Sequence, residues 1–146
     1  MTEPPCPFCE IIAGRAPATV VREWDDAFAI VPLGPVTDGH VLVIPKEHVS
    51  DFADDPVATA TATYRAAELA AETDRPMNLI TSRGAAATQS VFHLHLHLVP
   101  RAENNGLALP WYSGKKKNSG MQINTRPKAT DDEAFARGFA AGRRAR

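Results

Sequence analysis

Phe92-His-Leu-His-Leu-His-Leu-Val-Pro-Arg101 is the stretch on which the reading of this chain turns. Side chains along a strand alternate between faces, so His93, His95 and His97 share one face while Leu94, Leu96 and Leu98 share the other. The leucines belong on a hydrophobic core, and the histidines are left to line a surface. At a rise of about 3.3 Å per residue, neighbouring imidazoles stand roughly 6.5 Å apart, a spacing suited to a phosphate and the groups beside it. The expected strand runs from Val91 to Val99. A polar face that merely happens to hold histidine is the ordinary explanation, yet three of the chain's five histidines fall within five positions. A His-x-His pair gripping a catalytic zinc is a second functional reading.

The segment that feeds this strand favours phosphorus chemistry. Gly84-Ala-Ala-Ala-Thr-Gln-Ser90 is a loop of small residues whose backbone N–H groups can line up as an anion-binding nest, with the Ser90 hydroxyl beside them. Loop donors and imidazoles then converge on one phosphate. A neutral imidazole is a competent nucleophile near pH 7, and a protonated neighbour stabilises charge on the phosphate or protonates the departing atom.

Further upstream the pattern predicts strands grouped around one main helix. Cys6 to Ile12 reads as a short helix ended by Gly14. Thr19 to Trp24 and Ala27 to Val31 read as a hairpin turned at Asp25-Asp26, and a loop from Pro32 to Gly39 leads into a buried strand, His40 to Ile44. Pro56 to Arg75 is alanine-rich, with Val57, Ala60, Tyr64, Ala67 and Ala71 at three-to-four spacing, which predicts an amphipathic helix facing the core along that stripe. Met77 to Thr81 is a further short strand. The expected class is α+β: an antiparallel sheet of about five strands, one main helix, a short N-terminal helix and a C-terminal extension.

Length and composition agree with that frame. A chain of 146 residues with 44% hydrophobic and 23% charged residues suits one soluble domain, expected over residues 1–110, followed by an extension over 111–146. In that extension Lys115-Lys-Lys117 reads as a basic loop, Trp111 and Tyr112 as rings able to stack or to cover the core, and Thr130 with Glu133 as the capping box of a final helix. The formal net charge of −1 gives no global reason to expect a polyanion, so a nucleic-acid partner is not anticipated. No basic segment leads into an apolar one at the N-terminus, and no apolar run approaches the eighteen or so residues of a membrane span, so the expectation is a cytoplasmic protein away from membranes. Cys6-Pro-Phe-Cys9 suggests metal binding in a reducing compartment. An unmetallated buried pair and a redox dithiol are the alternatives.

Taken together, these segments resemble the histidine triad (HIT) family of nucleotide hydrolases and transferases, whose signature is His-φ-His-φ-His-φ-φ with φ apolar. His93 to Val99 fits it throughout. The likeness extends over Cys6-Pro-Phe-Cys-Glu-Ile-Ile-Ala-Gly14, Gly39-His-Val-Leu-Val-Ile-Pro-Lys-Glu-His48 and Gln89 to Arg101, about the first hundred residues. It implies that His95 attacks a nucleotide α-phosphorus and forms a nucleotidyl-imidazole intermediate, that His97 contacts the transferred phosphate, and that His40 is a fourth histidine near the site. Gln89 and Ser90 match positions that hold the phosphate near the leaving group. Substrates of the family are phosphoramidates, acylated nucleotides or dinucleoside polyphosphates, and its members are commonly homodimers with a continuous sheet. A zinc-containing bacterial subset implies structural Zn2+ on Cys6, Cys9, His48 and His93.

Two positions depart from the family pattern. Pro32 stands where many members carry the acid that holds the ribose hydroxyls. Ser82-Arg-Gly84 and Thr88 replace Asn-x-Gly and a glycine around the phosphate loop. Arg83 there adds a positive charge that can assist Ser82 in phosphate binding, while Thr88 constrains the backbone. A zinc metallohydrolase centred on the triad and a non-catalytic nucleotide sensor or adaptor remain as rival functional readings.

Overall fold

A computed structural model describes residues 4–109. The expected extension over 111–146, with Trp111, Tyr112, Lys115–Lys117, the Thr130–Glu133 capping box and the final helix, lies outside the described residues. Element order is α1 (Pro7–Ile12), β1 (Val20–Glu23), β2 (Ala27–Ile30), β3 (Val41–Pro45), α2 (Pro56–Ala70), β4 (Met77–Ile80), a single 3₁₀ turn (Ala85–Ala87) and β5 (Leu96–Pro100). The five strands form one antiparallel sheet in the order β1-β2-β3-β5-β4. The α+β class and the five-stranded antiparallel sheet with one main helix are as the sequence indicates.

Several elements follow directly from local chemistry. The β1–β2 turn closes where the Trp24 N–H donates to the Ala27 carbonyl at 2.9 Å, around Asp25-Asp26. Gly14 takes φ +74° just beyond the last helical turn of α1, a left-handed position that costs a residue with a Cβ and costs glycine little. Asp55 caps α2: its carboxylate accepts from the Val57 and Ala58 N–H groups, and Pro56 sits at the first helical position, where its missing donor is not needed. All four residues of β2 are buried, because both faces of the sheet are covered.

One face is closed by α2. Ala58, Ala62 and Ala66 meet Ala29, Val43, Leu94 and Leu96, with Val49 completing the cluster. The other face carries Phe28, Ile30, Leu42 and Ile44 beneath Phe8, with Cys6, Ile11 and Val91 around them. The stripe expected on α2 is therefore displaced: Val57 is 74% and Tyr64 62% exposed, and the buried line runs through Ala58, Ala62 and Ala66. With alanine and threonine all around the helix, apolar periodicity gives little contrast. The line chosen by packing is the one that lets the helix backbone approach the sheet. The helix also ends at Ala70 rather than Arg75.

The histidine segment departs most from expectation. Ladder pairing begins at Leu96, where β5 pairs with β3 and β4, and residues 91–95 are irregular. The Leu94 N–H donates to the Val49 carbonyl at 2.7 Å instead of to a neighbouring strand, which draws this half of the segment away from the sheet.

Candidate active site and metal centre

Because β5 alternates, Leu96 joins the α2-side core while His97, opposite Leu42 in the β3 pairing, stands on the α1 side. His95 and His97 share a wall of a cleft of about 910 Å³, with ring centroids 5.2 Å apart. Thr88, Ser90 and Val91 line it on the loop side; Phe8 and Ile11 of α1 and Ile30, Val31, Pro32 and Leu33 form its apolar walls.

Hydrogen bonds set the proton positions on three imidazoles. The Val36 backbone N–H donates to Nδ1 of His40 at 3.1 Å. His40 Nδ1 is thus an acceptor, and the ring proton of the neutral form sits on Nε2. That atom is 3.0 Å from His97 Nδ1, so His40 donates to His97 and leaves the His97 proton on Nε2. His95 is set independently: its Nδ1 lies 2.8 Å from the His93 carbonyl oxygen and must donate there, leaving the lone pair on Nε2. The backbone at that point is held by Thr81, whose hydroxyl donates to the His95 carbonyl at 2.8 Å. The cleft therefore offers one imidazole with an unshared pair and one with an N–H donor.

Electrostatics keep the donor neutral. Burial, followed by the neighbouring His95 and His40, lowers the His97 pKa to about 4, and burial lowers that of His40. At neutral pH His97 is thus an N–H donor carrying no charge. The expectation of a protonated neighbour in the resting site gives way to a neutral His97, because too little solvent reaches its ring to support imidazolium.

The phosphate loop is shaped by Gln89. Its carboxamide is buried and fully engaged: Oε1 accepts from the Gly84 N–H at 2.8 Å, and the NH2 group donates to the Ser50 and Val91 carbonyls at 2.7 and 3.1 Å. Its donors are committed to fixing the loop, so the side chain reaches a ligand only through the backbone it holds. Among the described residues, the Ser90 and Val91 N–H groups have no partner, and both residues line the cleft. Thr88 sits at φ +71°, the left-handed region that a β-branched residue occupies only when its surroundings over-determine it. Ser82 and Arg83 are not brought to the cleft. Arg83 is exposed and lies 3.7 Å from Asp51.

His93 is completely buried and turned to a different task. Its Nε2 donates to the Pro45 carbonyl at 2.8 Å, which leaves Nδ1 as a lone pair. That nitrogen lies 3.5 Å from Cys6 Sγ, 3.6 Å from Cys9 Sγ and 3.1 Å from His48 Nδ1, while Cys9 Sγ is 3.3 Å from His48 Nδ1. Ligands at zinc–sulfur and zinc–nitrogen distances stand roughly 3.3–3.8 Å apart around a tetrahedral ion. The four donor atoms all lie within 4.8 Å of one another, so the cluster fits a single metal ion. The Pro45 carbonyl supplies the outer hydrogen bond that fixes a ligating histidine. The even row of three imidazoles that strand alternation alone predicts is thus broken, and His93 lies in the cluster, among the residues the family likeness named, while His95 and His97 lie in the cleft.

Reading the cysteines alone missed Phe8, which sits between them. It is buried, and its ring makes T-shaped contacts with His93 and His95, centroids 5.8 and 5.2 Å apart. The available signal was its spacing to Ile11, which puts both on one side of a short helix.

Comparison with known proteins identifies the family. The HIT domain family profile matches residues 13–104. A HIT-like protein of Mycobacterium tuberculosis is 39% identical over 112 residues, covering 72% of this chain and 77% of its own length. The adenosine 5′-monophosphoramidase of Saccharomyces cerevisiae is 33% identical over 109 residues, covering 73% and 69%. The solved structure of a HIT family hydrolase from Clostridium thermocellum superposes with a TM-score of 0.63 at 33% identity, covering 70% of this chain and 95% of that one. Sequence, fold and histidine geometry together make this chain a member of the histidine triad family.

Proposed function

We propose that the protein is a nucleotide hydrolase or nucleotidyl transferase that works through His95. The observation that carries the reading is the His95 Nδ1 contact with the His93 carbonyl, which aims an unshared pair on Nε2 into a cleft large enough for a nucleotide. The phosphate of a nucleotide conjugate lies against the Ser90 hydroxyl, the free Ser90 and Val91 N–H groups and the His97 Nε2–H, while the base enters the apolar walls. Nε2 of His95 forms a bond to the α-phosphorus as the bond to the leaving group breaks, and the leaving atom takes a proton from solvent. Water then attacks the same phosphorus, the N–P bond breaks, and nucleoside monophosphate is released. His40 holds the His97 tautomer, and Gln89 holds the loop.

The substrate class is a phosphoramidate, an acyl nucleotide or a dinucleoside polyphosphate; the activity of the yeast relative supports the first. Zinc occupies the Cys6, Cys9, His48 and His93 cluster as a closed, structural ion, since four protein ligands leave no open position for substrate. The protein is expected to be a homodimer. Among the described residues β4 has no strand on its outer side, and Leu79 and Ile80 there are exposed.

The test is release of nucleoside monophosphate from a panel of adenosine and guanosine phosphoramidates and dinucleoside polyphosphates. His95→Ala is expected to lower turnover by at least about 10³-fold, and His95→Asn to do the same while retaining AMP binding. Turnover persisting in either variant would remove His95 from the mechanism. Nucleotide binding by wild type with no turnover across the panel would favour the sensor reading.

A further inference from the structure

Between the metal cluster and the cleft there is more than proximity. Helix α1 has only six residues and no side-chain cap, too short to persist unaided in water, yet it carries Pro7, Phe8 and Ile11 of the cleft wall. Cys6 precedes it and Cys9 lies within it, so an ion held by the cluster would clamp this helix to His48 and His93. Two paths then lead to His95. One passes from the His93 imidazole to its own carbonyl, the acceptor for His95 Nδ1. The other passes through the Phe8 ring, in T-shaped contact with both His93 and His95.

We infer that the metal centre is a positioning device for the nucleophile: ligation of His93 and of the cysteines flanking Phe8 fixes the His95 ring with its proton on Nδ1 and closes the α1 wall of the cleft. Phe8 is the positioning residue that links the two sites. The metal takes no part in bond making. Loss of the ion frees α1 and draws the Phe8 ring away from His95, and the His93–Leu94 peptide is then held by the Val49 carbonyl alone, so the same histidine is present with its ring no longer packed in one orientation. Occupancy of the metal site thereby governs the competence of the nucleotide site. This rests on the proposed zinc ligation and on His95 as nucleophile.

The experiment compares zinc-loaded wild type, chelator-treated wild type and Phe8→Ala with its zinc retained. Each is examined by ¹⁵N NMR of the histidine rings and by AMP titration, with Phe8→Leu as the conservative variant. The loaded protein should show a single Nδ1–H tautomer for His95. The metal-free protein should show His95 exchanging between tautomers and bind AMP at least ten-fold more weakly. Phe8→Ala should reproduce both effects with one zinc per chain, and Phe8→Leu should restore most of the affinity. If the metal-free protein stays folded with an unchanged His95 signal and AMP affinity within two-fold, the inference is wrong. If it unfolds, Phe8→Ala decides, and an unperturbed His95 signal in that variant overturns the proposal. Failure of wild type to bind AMP, with the tautomer still metal-dependent, would instead count against the proposed function and leave this coupling standing.

Discussion

At the scale of single residues, His97 has the most measurable consequence. Its ring titrates at about 4 in the native protein and near 6.5 when unfolded. Between those values the unfolded chain binds a proton that the native site refuses. Stability from this group is therefore unaffected above about pH 6.5, declines as pH falls through that window, and is lower by up to about 3 kcal/mol at pH 4. His40 titrates in the same direction for the same reason, burial. Urea denaturation of wild type and His97→Gln from pH 4 to 7 is the check. The variant should lose part of the slope between pH 6.5 and 4, and superimposable slopes would show that His97 is not held neutral. A neutral His97 also matches the hydrogen bonds, because its Nδ1 accepts from His40, whose own tautomer is fixed by the Val36 backbone N–H.

At the scale of elements, α2 separates what composition can reveal from what packing decides. Helix type was readable from the alanine-rich run, and its start from Asp55-Pro56. Its buried face was not, because exchanging one alanine stripe for another changes the apolar pattern little while the sheet strongly prefers the closer approach. Ala62 is fully buried against the sheet, so Ala62→Leu should destabilise by about 1–3 kcal/mol through overpacking. Tyr64→Ala, on the exposed side, should fall within about 0.5 kcal/mol of wild type. Thermal denaturation of the two variants measures this, and the reverse order would restore the stripe through Val57 and Tyr64. The histidine strand shows the same limit. Alternation was legible over Val91 to Val99, but the capture of His93 by the cluster and the Pro45 carbonyl, and of Leu94 by Val49, overrides it before Leu96. Only tertiary partners from other elements could announce that break.

At the scale of the whole molecule, a sheet covered on both faces separates the histidines into two groups, His95 and His97 lining the cleft and His48 and His93 beside the cysteines. The residue types of both groups were legible: His95 and His97 from the triad pattern, and Cys6, Cys9, His48 and His93 from the family likeness. The loop residues were less so, since nothing in Gln89 or Arg83 as letters tells that one amide is consumed by backbone groups and that the other side chain leans towards Asp51. Metal content divides the structural-ion reading from a catalytic metal at the triad. Wild type should hold one zinc per chain, and the Cys6→Ser/Cys9→Ser double variant close to none; a full equivalent surviving in the variant would place the metal on the triad histidines. The most direct test of the central claim is to trap the intermediate. Single-turnover reaction with an adenosine phosphoramidate labelled at the phosphorus, quenched in alkali and mapped by tandem mass spectrometry, should place acid-labile adenylate on His95. Rapid release of labelled AMP with no covalent adduct at any time, or an adduct on a residue other than His95, would rule out His95 as the nucleophile.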